Sequence, residues 1–391
     1  MSVAREKKKV FVGLSGGVDS AVSAALLKQE GYDVTGVFIR IALPGYPCSA
    51  GADKVEAMRV AAHLDIPFLE LDLSKEYEQK VFKTSIGEFA RGRTPNPDAL
   101  CNREIKFGKF FEFARAQGAD FVATGHYARF HESETKLLEK NPGGGGRPAQ
   151  RDRAKGFVKE CFVQLLIGAD PEKDQSYFLW MVPETVLQYA LFPVGALQKS
   201  QVRALAKKFG LPNAARSDSQ GLCFLGDISI GDMLQKELDP LPGEVLAENG
   251  EVVGTHSGAL LYTLGQRHGF TITTNRGTSD VQHRGVDVGP YFVVAKDVQK
   301  NTITVSTGRY PRGAKKTQII LREQNWVGPV ESGPCVARFR YRQKLIPAEL
   351  EVEKNAVTLL EPHYVPLGQS LVLYFGERCL GGGIAESVEI H

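Results

Sequence analysis

At 391 residues the chain exceeds what one ordinary hydrophobic core organises, so two or three domains are expected. Hydrophobic residues at 42% and charged residues at 24% exclude a disordered chain, and a net charge of +3 does not mark a nucleic-acid binder by bulk electrostatics. No apolar run is long enough to span a bilayer, and the charged segment 1–9 resembles neither a secretory signal nor a transit peptide, so a cytoplasmic address without membrane partners is expected.

The apolar run VFVGL at 10–14, bounded by a glycine-rich turn, predicts a buried parallel strand. The spacing of Val18, Val22, Ala25 and Leu26 predicts a helix over 18–30, stopped by Gly31. A strand at 34–39, a helix at 53–64 and a strand at 68–73 continue the alternation, followed by helices at 76–90 and 99–117 and a strand at 120–125. Such repetition predicts an α/β doubly wound parallel sheet that binds ligands at the carboxyl ends of its strands.

The segment NPGGGGRPAQRDRAKG at 141–156 interrupts this order. Four consecutive glycines followed by Arg147, Arg151, Arg153 and Lys155 predict a mobile basic loop, either a surface insertion or an arm that orders on a polyanion. A helix at 201–209 with Ser200 as N-cap comes next. Beyond about residue 228 glycines and prolines become frequent, and short strands are predicted at 291–295, 302–306, 337–341, 350–352 and 370–374. The expected organisation is an α/β domain over 1–227 carrying the insertion, a small β-rich domain over 228–299, and a C-terminal β-barrel over 300–391.

Within 337–341 and its edge, the strand period of two would put Arg338, Arg340 and Arg342 on one face, with Phe339 and Tyr341 on the other. Guanidiniums about 7 Å apart along a strand can track phosphates; a solvated edge would look similar, and of the two the phosphate contact, hence RNA, is the favoured reading. The six cysteines, Cys48, Cys101, Cys161, Cys223, Cys335 and Cys379, form no CxxC pair. That argues against structural zinc, a four-cysteine iron–sulfur site and a disulfide framework, and leaves thiols in a reducing compartment.

The loop SGGVDS at 15–20 joins the first strand to the first helix. A helix N-terminus carries unpaired amides and partial positive charge, and Gly16 and Gly17 let those amides close on phosphate oxygens. Asp19 and Ser20 open the helix as cap, Mg²⁺ ligand or hydroxyl donor. The loop lacks the lysine of GxxxxGK[ST] and is not GxGxxG, so neither γ-phosphate transfer nor dinucleotide binding is the natural inference.

Asp98 and Cys101 stand three apart at a helix start, behind Pro95 and Pro97. A thiol so placed is favoured as thiolate and nucleophile; equally, Asp98 can be the cap and Cys101 a buried small residue. Cys223, in a segment that reads as a loop, suits a sulfur-transfer partner or a structural cysteine.

SGGVDS in this position resembles the PP-loop family of ATP pyrophosphatases, which adenylate a carbonyl or carboxylate and release pyrophosphate. Further segments resemble one branch, the tRNA-specific 2-thiouridylases: GRTPNPDALCNREIKF at 92–107, ATGHY at 123–127, KDQSYFL at 173–179, DSQGLCFL at 218–225 and CLGGGI at 379–384. The resemblance implies that ATP, with Mg²⁺, adenylates O2 of the wobble uridine, U34, of a tRNA. It implies that Cys223, loaded as a persulfide by a separate protein donor, delivers sulfur to C2. Cys101 then frees the sulfide or ends in a disulfide with Cys223, and Asp98 is the general acid/base.

By the same resemblance Gly13, Leu14, Ser15, Gly16, Gly17, Val18, Asp19, Ser20, Ile39 and Gly125 contact ATP, and Asn96, Pro97 and Asp98 meet the target base. His126, Lys173, Asp174, Gln175, Arg340, Tyr341 and Gln369 contact tRNA, with the C-terminal barrel as a tRNA-binding domain. A PP-loop synthetase acting on a small molecule would account for the loop, but not for two placed cysteines or an arginine-striped β-domain. A non-catalytic RNA-binding protein would not need an intact SGGVDS.

Overall fold

Strands β1 (Lys9–Gly13), β2 (Asp33–Arg40), β3 (Phe68–Asp72) and β4 (Phe121–Ala123) pair in parallel in the order β3-β2-β1-β4, with the short strand Ala190–Leu191 beside β4. Alternate side chains of β1 face opposite sides. Val10 and Val12 pack with Val22 of helix α1 (Val18–Gln29), Val60 of helix α2 (Ala50–His63), and Val202. Phe11 packs on the other side with Val37, Tyr77, Val81, Ile105 and Phe110. Both faces are therefore covered by helices, as the apolar strand sequences require, and the expected doubly wound sheet is what forms. The computed structural model describes residues 7–46, 50–138, 150–152, 157–218, 229–274, 277–280 and 290–391.

Strand order reverses between β1 and β4, which opens a crevice at their carboxyl ends. The loop 14–17 and the segment 124–127 lie at that crevice. The chain is helical over 74–90 and again over 97–116, and each stretch contains a wider π turn, at Glu78–Phe82 and Asn102–Lys109. The second stretch feeds β4, so as a crossover it runs back along the sheet and starts at the carboxyl edge.

The helix expected at 201–209 spans Lys199–Lys208, and its cap is Gln198 rather than Ser200. Gln201 returns a bond to the Gln198 amide at 2.7 Å, so two glutamines form a reciprocal capping box and Ser200 falls inside the first turn.

A six-stranded sheet follows in the order Gly277–Asp280, Phe270–Thr274, Val252–His256, Gly243–Ala247, Thr302–Ser306 and Phe292–Asp297. In the C-terminal part, Thr317–Trp326, Ala356–Leu359, Ile346–Glu351, Gly333–Arg338, Ser370–Phe375 and Arg378–Ile390 pair antiparallel in that order. The last strand pairs back to the first, which closes a barrel around Ile319, Leu350, Leu371 and Leu373. Among the described residues no helix is long and apolar enough to cross a membrane.

Two departures from the sequence expectations matter for function. Ala128–Leu138 and Phe157–Ile167 form an antiparallel hairpin that pairs through Leu165 with Cys379, so the α/β unit extends the barrel's own sheet. Inside the expected loop, Gln150–Asp152 is a strand on 157–159; residues 141–149 and 153–156 lie outside the described residues.

The second departure concerns the arginine row. The strand ends at Arg338, and 339–342 form a turn in which Arg342 has φ +59°. Arg338 is only 6% exposed and makes an ion pair with Asp174. Three guanidiniums on one face do not form, because a buried carboxylate draws the first inward and the chain leaves the strand after Arg338, where Gln343 Oε1 takes the Phe339 and Arg340 amides.

Candidate active site

β1 ends at Gly13, and the chain turns through 14–17 into α1. Gly16 takes φ +78°, and a Cβ there would sit 2.5 Å from the Asp53 carbonyl oxygen. Gly17 is the N-cap of α1 and offers no capping side chain, so the first turn presents its amides to whatever anion enters. Ser20 Oγ accepts from the Ser15 amide at 3.2 Å and donates to the Gly17 carbonyl at 3.1 Å, which pulls the loop around the helix start.

Gly125 closes the far wall: a Cβ there would approach the Ser20 amide nitrogen to 2.7 Å. Ile39, near the end of β2, is buried below the crevice. Gly16→Ala is expected to cost roughly 1–2 kcal/mol from the left-handed backbone and the clash, and to weaken nucleotide binding at least about tenfold. Urea melts and nucleotide titration measure the two effects separately.

Charges surround this loop. Lys199 Nζ donates to both Asp19 carboxylate oxygens, at 2.7 and 2.9 Å, and Tyr127 Oη donates to Asp19 at 2.8 Å. Lys199 also pairs with Asp218 at 2.8 Å, and Asp218 receives Lys173 at 2.7 Å and Arg203 at 2.6 Å. Burial works against the Asp218 carboxylate, but hydrogen bonds from Lys173 and Lys199 and their charges hold its pKa down to about 2. Burial and the adjacent Asp19 charge push the Tyr127 hydroxyl up, so it stays a donor. On the other side, Arg216 pairs with Asp53 and donates to the Gly16 carbonyl at 3.2 Å, joined by Asn213 Nδ2 at 2.8 Å.

The second group of expected residues starts the 97–116 helical stretch. Asn96 Oδ1 accepts from the Ala99 amide at 3.2 Å and Pro97 occupies the first turn, so the cap is Asn96 and not Asp98. Asp98 keeps its place in the first turn, and Cys101 lies one turn on, 1% exposed, just before the π turn. Tyr177 is buried beside them: its hydroxyl meets Asn96 and lies within the field of Asp98 and Arg340. It also donates to the Phe339 carbonyl at 2.9 Å and to Gln369 Oε1 at 3.2 Å, so the barrel's turn and the Asn96 loop share one anchor.

The residues expected at tRNA fall into distinct settings. Arg340 is exposed beside Phe339, and Tyr341 packs on Phe178 with ring centroids 4.9 Å apart. Lys173 reaches Asp218, and Gln175 Oε1 accepts from the Tyr127 amide at 3.0 Å. Asp174, 4% exposed, accepts from the Gly168 and Ser176 amides at 2.9 and 3.1 Å besides pairing with Arg338, so its contacts are internal.

His126 is 7% exposed and bonded to Thr124 Oγ1 at 2.7 Å. Burial, and then the nearby Lys106 charge, hold its imidazole well below the ordinary range, so it is neutral near pH 7. The unfolded chain takes up that proton at higher pH than the folded one. His126 therefore contributes stability present above about pH 6.5 and lost as pH falls below it. Urea melts between pH 7 and pH 5 are expected to show falling stability, with a shallower slope in His126→Gln.

Cys223 lies outside the described residues, as does Cys48. Sequence reasoning did not find Lys199, Arg203, Arg216 or the ion pairs of Asp218. The only signal was the i, i+4 placement of Lys199 and Arg203 on one helix face and the position of Asp218 at the head of DSQGLCFL.

Residues 8–227 match the family model described as tRNA methyl transferase HUP domain, residues 231–307 the tRNA methyl transferase PRC-barrel domain, and residues 316–385 the aminomethyltransferase beta-barrel domain. The chain is 39% identical over 389 residues to the tRNA-specific 2-thiouridylase MnmA of Nitrosomonas eutropha, covering 97% of this chain and 98% of that one. It is 38% identical over 395 residues to the protein of the same name from Bacillus subtilis, covering 98% and 96%. With this identity along almost the full length of both relatives, the chain belongs to the tRNA-specific 2-thiouridylase family.

Proposed function

We propose that this protein is an ATP-dependent tRNA-uridine 2-sulfurtransferase that converts the wobble uridine to 2-thiouridine. The observation that carries the reading is shared placement. The glycine loop at the start of α1 and the Asp98–Cys101 turn both sit at the carboxyl edge of the sheet, so one edge carries an anion site and a buried thiol.

Uridine O2 attacks the α-phosphorus of ATP; the O2–P bond forms, the bond to the β-phosphate bridge breaks, and pyrophosphate leaves. Adenylation is needed because the C2 oxygen is otherwise a poor leaving group. The amides of Gly13 to Ser20 hold the phosphates, Gly125 lines the opposite wall, and Ile39 offers an apolar or backbone contact to the adenosine. Asp19 is the carboxylate at the loop and would hold Mg²⁺ jointly with the phosphates, a ligand set of the kind this ion takes.

Asn96, Pro97 and Asp98 present the base, with Asp98 moving the proton that O2 activation requires. The outer sulfur of a Cys223 persulfide attacks C2 and AMP departs. The Cys101 thiolate then takes the inner sulfur, leaving the thiolated base and a Cys101–Cys223 disulfide; alternatively Cys101 attacks first and liberates hydrosulfide, with the same disulfide. An external thiol reductant resets the pair, and a protein persulfide donor reloads Cys223. Thiol chemistry of this kind suits a cytoplasmic, reducing setting.

On the RNA side, Arg340 and Tyr341 of the barrel turn, with Gln369, Lys173, Gln175 and His126 around the crevice, would form the tRNA surface. Asp174 would act there by holding its neighbours in place, given its burial. Mass spectrometry of tRNA nucleosides after incubation with ATP and a persulfide donor tests the whole reading. 2-Thiouridine is the expected product, and its absence with a competent donor would sink it.

A further inference from the structure

The loop that receives the triphosphate contains no lysine or arginine between Ser15 and Ser20, and a helix N-terminus supplies only about half a positive charge. Pyrophosphate departs with several negative charges, more than the helix N-terminus and one divalent cation offset, so a side-chain cation from elsewhere in the fold would add to their stabilisation. Four cations are ion-paired close to the loop among the described residues. Arg216 braces the Gly16 carbonyl and Asp53, and the ion pairs of Lys173 and Arg203 go to Asp218. Lys199 is the one that bonds a carboxylate of α1's own first turn, both oxygens of Asp19, while also touching Asp218.

Resting on the adenylation reading, we propose that Lys199 contacts the β- and γ-phosphates of ATP and then the departing pyrophosphate, Asp19 and Asp218 holding its ammonium in place until phosphate oxygens replace them. The exchange is favourable on local chemistry. Asp218 keeps Lys173 at 2.7 Å and Arg203 at 2.6 Å when Lys199 turns away, so no carboxylate is stranded. Asp19 keeps the Tyr127 hydroxyl at 2.8 Å and is released toward a divalent cation. The Lys199 side chain is 15% exposed, enough to meet a ligand yet shielded from the screening that weakens surface charges. Its three donors can pass from carboxylate to phosphate oxygens without losing their bonds.

The test uses the full chain and titrates inorganic pyrophosphate and AMP by calorimetry. It compares the natural protein with Lys199→Ala, Lys199→Arg and Asp218→Asn. Lys199→Ala is expected to lose pyrophosphate affinity at least about tenfold while AMP affinity changes less than about twofold; Lys199→Arg retains part of it. Asp218→Asn is expected to bind pyrophosphate several-fold tighter, because one competitor for the ammonium has gone, and to lose that gain when Lys199→Ala is added; a gain that survives Lys199→Ala belongs to the general field or to Lys173 and Arg203 and counts against the inference. Pyrophosphate affinity unchanged in Lys199→Ala overturns the inference, as does an equal loss of pyrophosphate and AMP. Should the natural protein bind neither ATP nor pyrophosphate, the adenylation reading falls and this inference with it.

Discussion

Cys223→Ser is expected to abolish 2-thiouridine formation, by at least about 10³-fold, while tRNA-dependent release of pyrophosphate from ATP continues. A serine hydroxyl forms no persulfide, so in the proposed mechanism the sulfur never reaches the base, whereas adenylation comes before that step and depends on the loop at 15–20. Cys101→Ser makes the contrasting case. Its thiol lies in the helix start beside Asp98, and its loss is expected to stall the enzyme after one loading, with sulfur retained on Cys223. Nucleoside mass spectrometry, pyrophosphate release and intact-protein mass together separate the two variants. A Cys223→Ser protein that still thiolates tRNA from a persulfide donor would remove Cys223 from the mechanism.

The largest stability effect is expected at Arg338. Its guanidinium is buried against Asp174, Ser176 Oγ at 3.1 Å and Tyr374 Oη at 2.8 Å, at the seam where the α/β unit meets the barrel. Arg338→Met would strand a buried carboxylate, which typically costs about 3–5 kcal/mol. The lower end applies, since Asp174 keeps the amides of Gly168 and Ser176. Melting should fall by roughly 5–10 °C. Adding Asp174→Asn should recover much of the loss, because the amide still accepts from Gly168 and carries no charge. A single variant that melts within about 1 °C of the natural protein would show that Asp174 is satisfied without Arg338.

The same arginine shows where local reasoning stops. Arg338, Arg340 and Arg342 satisfy a strand period equally well, and nothing within five residues distinguishes them. What separates them is Asp174, more than a hundred residues earlier, which draws Arg338 inward, and the turn after Arg338, where Gln343 Oε1 takes the Phe339 and Arg340 amides and Arg342 has a positive φ. The hairpin 128–138 with 157–167 was missed for a related reason. Its outer partner is the strand beginning at Arg378, and a glycine-rich insertion between the two arms reads as loop.

The cap of the helix at Lys199–Lys208 was misplaced because serine is the stronger statistical cap, whereas here two glutamines three apart close a reciprocal pair. The cations around the nucleotide loop were invisible as a group. Lys173, Lys199, Arg203 and Arg216 are scattered in sequence and acquire meaning only through Asp19, Asp53 and Asp218.

By itself the sequence determined the parallel α/β sheet, the barrel that follows it, the glycine loop at the first strand–helix junction, and the Asp98–Cys101 helix start. Each of these is written in short-range patterns: side-chain period, glycine conformation, cap and turn chemistry. Only the tertiary structure decided which arginine is buried, which lysine stands at the phosphate loop, and how the barrel joins the α/β unit. Those outcomes depend on charge pairing and strand pairing between distant residues, where burial sets the energy and no local pattern records the partner.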